Sequence, residues 1–86
     1  MNRVEVYKLI DGERDYQDEQ SKKWDHQGVV TVEAEILMME EYMKKVREAW
    51  TNNYGPEQAM DQMRKVIAMG VRCLENHGEG KDLRRK

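Results

Sequence analysis

The second of three helical segments expected in this chain carries five carboxylates, Glu33, Glu35, Glu40, Glu41 and Glu48. Glu33 and Glu40 are seven apart, so on a helix they share an edge beside the apolar stripe, with Arg47 next along it. Acids on such an edge hold a hard cation such as Mg²⁺ when a facing helix adds further oxygen ligands. The ordinary alternative is a solvated edge, with Glu40 paired to Lys44 and Glu41 to Lys45 at i, i+4. The third segment offers Glu57 and Asp61, then Arg64, Lys65 and Arg72. Acids early and bases late suit the helix dipole. The functional alternative is that Arg64 or Lys65 holds a phosphate.

Other chemistries find less support. His26 and His77 are far apart and stand in no Cys/His spacing for zinc. Cys73 falls on an apolar stripe, as a small core residue does. There is no Ser/His/Asp arrangement, Gly-rich phosphate loop or dinucleotide fingerprint. With 15 basic and 17 acidic residues the net charge is −2. That balance does not indicate generic nucleic-acid binding. No apolar run approaches the ~20 residues that span a bilayer, and the first fifteen residues lack the apolar stretch of a signal peptide. A single cysteine excludes an intrachain disulfide. These features predict a cytoplasmic protein with no membrane partner.

The elements follow from periodicity. Residues 5–23 read as one helix that loosens at Gly12, polar nearly all round, with Tyr16 and Trp24 as its large anchors. Asp11 is an alternative N-cap. Residues 24–28 form a connection and Thr31 caps the second helix. Val32, Ile36, Met39, Met43, Val46 and Trp50 recur at steps of four and three and mark its buried stripe. Tyr42 and Ala49 widen that stripe. Pro56 suits the first turn of a third helix. Its stripe comprises Ala59, Met63, Val66, Ile67, Gly70, Cys73 and Leu74, with Gly70 allowing close approach. Gly78 reads as a left-handed C-cap. Residues 1–78 thus form one all-α domain of three helices with a central antiparallel hairpin, and 79–86 a charged tail.

The core is lean: 38% of residues are hydrophobic and 37% charged, with a mean hydropathy of −1.02. A chain this short buries only about 60–65% of its unfolded surface. Two hairpins sharing a four-helix core would offset that shortage, so a homodimer or higher homo-oligomer is expected.

Glu13-Arg14-Asp15-Tyr16-Gln17 and Lys23-Trp24 echo an ER-x-x-Q … KW pattern, Glu40-Glu41 a pair of middle-helix glutamates, and Ala59 to Gly78 the apolar pattern of a final helix. In this order of features the chain resembles the phage and prophage MazG-like proteins of the all-α nucleoside-triphosphate pyrophosphohydrolase superfamily. The resemblance spans roughly residues 4–78. It implies α–β cleavage of a nucleoside triphosphate with Mg²⁺ held by Glu40, Glu41 and Asp61. The departures fall on the metal motifs, E-x-x-E and E-x-x-D. Lys44 follows Glu41 and Met43 follows Glu40 where an acid is needed. Gln62 and Lys65 give the best match to the second motif, with Asp61 one residue out of register. A lysine ammonium there opposes Mg²⁺ by repulsion. The resemblance with these departures implies a non-catalytic descendant that binds a nucleotide, or a host or phage protein, with Lys44, Arg64 and Lys65 as anion contacts. The alternatives are the Mg²⁺-dependent hydrolase and a structural dimer without ligand.

Overall fold

A computed structural model describes residues 1–23, 30–52 and 55–78. The expectations for Trp24, His26, Gly28, Tyr54 and the 79–86 tail lie outside the described residues. Three helices are present, α1 (Arg3–Lys23), α2 (Val32–Thr51) and α3 (Gly55–His77), and no strand occurs among the described residues. The chain is all-α, and among the described residues no helix is long and apolar enough to cross a membrane.

Local chemistry accounts for each boundary. α1 begins two residues before its expected start because Asn2 and Glu5 form a reciprocal cap. The Glu5 amide donates to Asn2 Oδ1 at 2.9 Å and the Asn2 amide to Glu5 Oε1 at 3.2 Å. Asp11 is therefore interior, and the helix runs unbroken through Gly12. Thr31 caps α2 as expected, its Oγ1 accepting from the Ala34 amide at 3.2 Å. Gly55 opens α3 at φ +86°, a left-handed conformation that costs an L side chain roughly 1–2 kcal/mol. Pro56 follows in the first turn. At the other end Gly55 is the only positive-φ glycine among the described residues, so Gly78 is not a left-handed cap. The Gly78 amide instead extends the ladder to Leu74 O at 2.8 Å.

α3 is the central element. α2 packs along one side of it and α1 on another, while the backbones of α1 and α2 stay apart. Glu35 reaches Arg72 and Asn76, and a Cβ on Gly70 would lie 3.4 Å from Met39 Cε. These contacts set an antiparallel register in which Met39 lies opposite Gly70 and Met43 opposite Val66. The neighbour at Gly70 is the flexible tip of a methionine, so backbone approach there is not close.

The buried face of α2 differs from the expected stripe. Glu35 and Ala49 are buried and Met39, Tyr42 and Val46 half-buried, whereas Val32, Ile36, Met43 and Trp50 are exposed. The helix is turned toward the side that Tyr42 and Ala49 widen. On α3, Ala59, Val66, Ala68 and Met69 are buried, but Ile67 and Leu74 are exposed. Ala68 has no exposed surface and shares its face with Arg64 and Glu75, the residues that meet α1.

α1 docks through Ile10 and charged groups, not through Tyr16, which is 58% exposed. Burying Ile10 contributes roughly 1.5–3 kcal/mol. Arg14 forks onto Glu75, Nε to Oε2 at 2.6 Å and Nη2 to Oε1 at 3.2 Å. Asp18 and Gln17 take its remaining donors at 3.0 and 3.3 Å. The Glu75 bond, backed by Asp18, outweighs burial and pushes the Arg14 pKa up, so its charge is fixed. Glu13 accepts from Arg64 Nε at 3.0 Å, and Gln17 donates to Lys65 O at 3.3 Å. The ER-x-x-Q residues thus attach α1 to α3.

Candidate functional site

Because α3 holds α1 and α2 apart, a cleft of about 410 Å³ opens between them, floored by α3. The volume lies in the range of small-molecule sites. α1 contributes Tyr16, Gln17 and Gln20, α2 contributes Tyr42 and Lys45, and α3 contributes Gln62, Lys65, Met69 and Arg72. Helical spacing explains the convergence: 13, 16, 17 and 20 share one side of α1, 38, 42 and 45 one side of α2, and 62, 65, 69 and 72 one side of α3.

The lining is cationic. Lys45, Lys65 and Arg72 face one acid, Glu13, whose charge is engaged by Arg64. Lys45 Nζ sits 4.2 Å from the centroid of the Tyr42 ring, a cation–π contact that orders the ammonium without neutralising it. Arg72 Nε donates to Glu35 Oε1 at 3.2 Å, while Arg72 Nη2 is buried with no hydrogen-bond partner. An unpaired buried donor of a charged group costs on the order of 1–3 kcal/mol.

Glu35 positions this arginine. It is 1% exposed, between the N-terminus of α2 and the C-terminus of α3. Its Oε1 accepts from Arg72 Nε and from Asn76 Nδ2, each at 3.2 Å. Its Oε2 lies 3.0 Å from His77 Nε2, which is 2.8 Å from Val30 O. Both neighbours are acceptors, so Nε2 carries the ring proton. That proton serves the closer Val30 carbonyl, and Oε2 is left without a hydrogen bond of its own. Cys73 borders the same network, and burial, with Glu35 adding to it, pushes its thiol pKa up. The thiol stays protonated, as suits a packing role. Nothing singled out Glu35 among the five carboxylates in sequence. The available signal was its spacing of four from Met39 and seven from Tyr42, which puts it on the face that Tyr42 and Ala49 widen.

The residues expected at a site are dispersed. Lys65 lines the cleft. Lys44 stands on the far side of α2, exposed and 3.1 Å from Glu41, so the expected Glu40–Lys44 and Glu41–Lys45 pairs give way to an i, i+3 pair. Glu40 is exposed at the edge of a separate apolar groove. Asp61 is bound by Arg64 Nη2 at 2.7 Å on the α1-facing side of α3. In the hairpin register it is level with Glu48, roughly 12 Å along the axis from Glu40. Among the described residues no three Asp, Glu, His or Cys side chains gather into a group that holds a metal. The donor set therefore does not fit the Mg²⁺ site implied by the resemblance, and no step through Mg²⁺ follows.

No protein-family model, no curated protein sequence and no solved structure matches this chain.

Proposed function

We propose that the protein is a non-catalytic binding module for a compact phosphorylated ligand of the nucleotide class, held in the cleft between α1 and α2. The carrying observation is the cleft lining, in which Lys45, Lys65 and Arg72 converge opposite a single acid, Glu13, that Arg64 already engages. Lys45 and Lys65, beside an Arg72 held by Glu35, suit a di- or triphosphate. The rings of Tyr16 and Tyr42 supply flat surfaces for a base, and Gln20 and Gln62 offer amides to its edge. The sequence resemblance to MazG-like proteins points to the same ligand class, and the scattering of Glu40, Glu41 and Asp61 supports binding without hydrolysis.

Titration calorimetry with the eight common ribo- and deoxyribonucleoside triphosphates tests the reading, with inorganic triphosphate and free nucleosides as controls. At least one nucleotide is expected to bind with a Kd on the order of 10 µM, and each control at least ~10-fold more weakly. Equal binding of all ligands, or of none, contradicts it. Mg²⁺-dependent release of pyrophosphate, abolished by Glu40→Ala, would contradict the non-catalytic part.

A further inference from the structure

The side of the α2–α3 hairpin opposite the cleft is apolar and uncovered among the described residues. On α2, Ile36, Met43 and Trp50 are 48, 42 and 62% exposed; on α3, Met60, Ile67 and Leu74 are 64, 46 and 62% exposed. Steps of seven keep each set on one side of its helix. The antiparallel register turns both sets the same way, and on the α2 side of this face a groove of about 520 Å³ is lined by Ile36, Met39, Met43 and Val66. Supply and demand are mismatched: among the described residues Ile10, Val66 and Met69 are the only large apolar side chains in the buried core, against sixteen large hydrophobic residues exposed. Scattered exposed apolar residues need no explanation, but a continuous face of this kind marks an interaction surface.

We infer that this face is the homodimer interface, in which α2 and α3 lie antiparallel on α2 and α3 of a second copy. Three observations select a second copy as the occupant. The first is self-complementarity. Met43 is the midpoint of Ile36 and Trp50, Ile67 is the midpoint of Met60 and Leu74, and the register brings Met43 level with Val66 and Ile67. One two-fold axis through that level sets Ile36 on the partner's Trp50 and Met60 on the partner's Leu74. Such an interface closes on itself. The second is charge. Glu40 and Arg47 are exposed along the α2 edge of the groove, seven residues apart. The same axis passes between them, so each carboxylate meets the partner's guanidinium, twice per dimer. Lys44, near the axis, is already paired with Glu41. The third is size. The face measures roughly 30 Å along the helices by 20 Å across them, comparable with the ~800 Å² that each partner gives to a standard interface. The cleft lies on the opposite side of the hairpin and stays open in the dimer.

Sedimentation velocity of the full chain is the test. At concentrations on the order of 10 µM the wild type is expected to run at twice 10.3 kDa. Ile67→Glu is expected to run as a monomer with unchanged helical circular dichroism, since residue 67 is already 46% exposed in the single chain. Glu40→Arg places like charges on both edges and is expected to weaken the dimer about tenfold. The exchange Glu40→Arg with Arg47→Glu restores the pairs and is expected to return the affinity to within about threefold of wild type. A wild-type monomer overturns the inference, as does a dimer indifferent to Ile67→Glu. Failure of the double exchange to rescue Glu40→Arg overturns the antiparallel arrangement. Nucleotide binding enters none of these readouts, so the two proposals fail separately.

Discussion

Glu35→Ala is expected to destabilise the protein by about 3 kcal/mol, because removing one member of a buried charged network leaves the others uncompensated. The carboxylate is 1% exposed, and its loss strips Arg72 Nε and Asn76 Nδ2 of their acceptor. Arg72 already has one buried donor without a partner, so the substitution extends an existing deficit. In a domain of this size about 3 kcal/mol lowers Tm by more than ~10 °C. Glu35→Gln retains an acceptor and the side-chain volume, and is expected to lose about half as much. Urea and thermal unfolding followed by circular dichroism, at one fixed chain concentration because the inferred dimerisation would shift Tm, measure both. A loss below about 1 kcal/mol for Glu35→Ala would show that this carboxylate is not the centre of a coupled network.

The second large effect concerns the ligand. Lys45→Ala and Lys65→Ala are each expected to weaken nucleotide binding about tenfold and together about a hundredfold, as for charge-assisted contacts worth roughly 1.5 kcal/mol apiece. Lys44→Ala is the internal control and is expected to change nothing, since that side chain is exposed on the far side of α2 beside Glu41. Arg72 is a poorer probe, because it also supports Glu35 and its loss mixes folding with binding. Raising the salt concentration weakens binding to wild type more than to the double variant, which has fewer charges left to screen. Calorimetry across these variants reads all of this. Equal losses for Lys44→Ala and Lys65→Ala would contradict the assignment of the cleft.

Much of the helical framework was legible in the residues. Thr31, Pro56 and the apolar periodicity of α2 and α3 placed two helices and their hairpin, because capping and amphipathicity act within a few residues. The start of α1 is legible too, in the Asn2–Glu5 spacing. Which face of α2 meets α3 was not. Its apolar arc is wide, and the repeat through Ile36, Met43 and Trp50 is the more regular side of it. The chosen side carries Glu35, whose partners Arg72, Asn76 and His77 stand 37 to 42 positions away, beyond the reach of any local pattern. The regular repeat is accounted for by the inferred second copy.

The site was legible only in part. Lys65 reads as an anion contact in sequence and lines the cleft, whereas spacing pairs Lys45 with Glu41 and its ammonium instead lies over Tyr42 at the cleft. Whether Lys44 or Lys45 faces the cleft depends on which way α2 is turned, and local spacing leaves that open. Tyr16 and Gln17 belong to the cleft only because Arg14 and Glu13 fasten α1 to α3, and that contact is long-range.

The claim that a nucleotide occupies the cleft is tested most directly by amide NMR, titrating the ¹⁵N-labelled chain with the tightest binder from the calorimetric panel. The expected result is saturable shifts at Tyr16, Gln20, Tyr42, Lys45, Lys65 and Arg72, with Glu40, Glu41 and Lys44 unmoved. Shifts confined to Glu40, Glu41, Lys44 and Asp61, or no shifts at nucleotide concentrations that saturate the calorimetric signal, would contradict it.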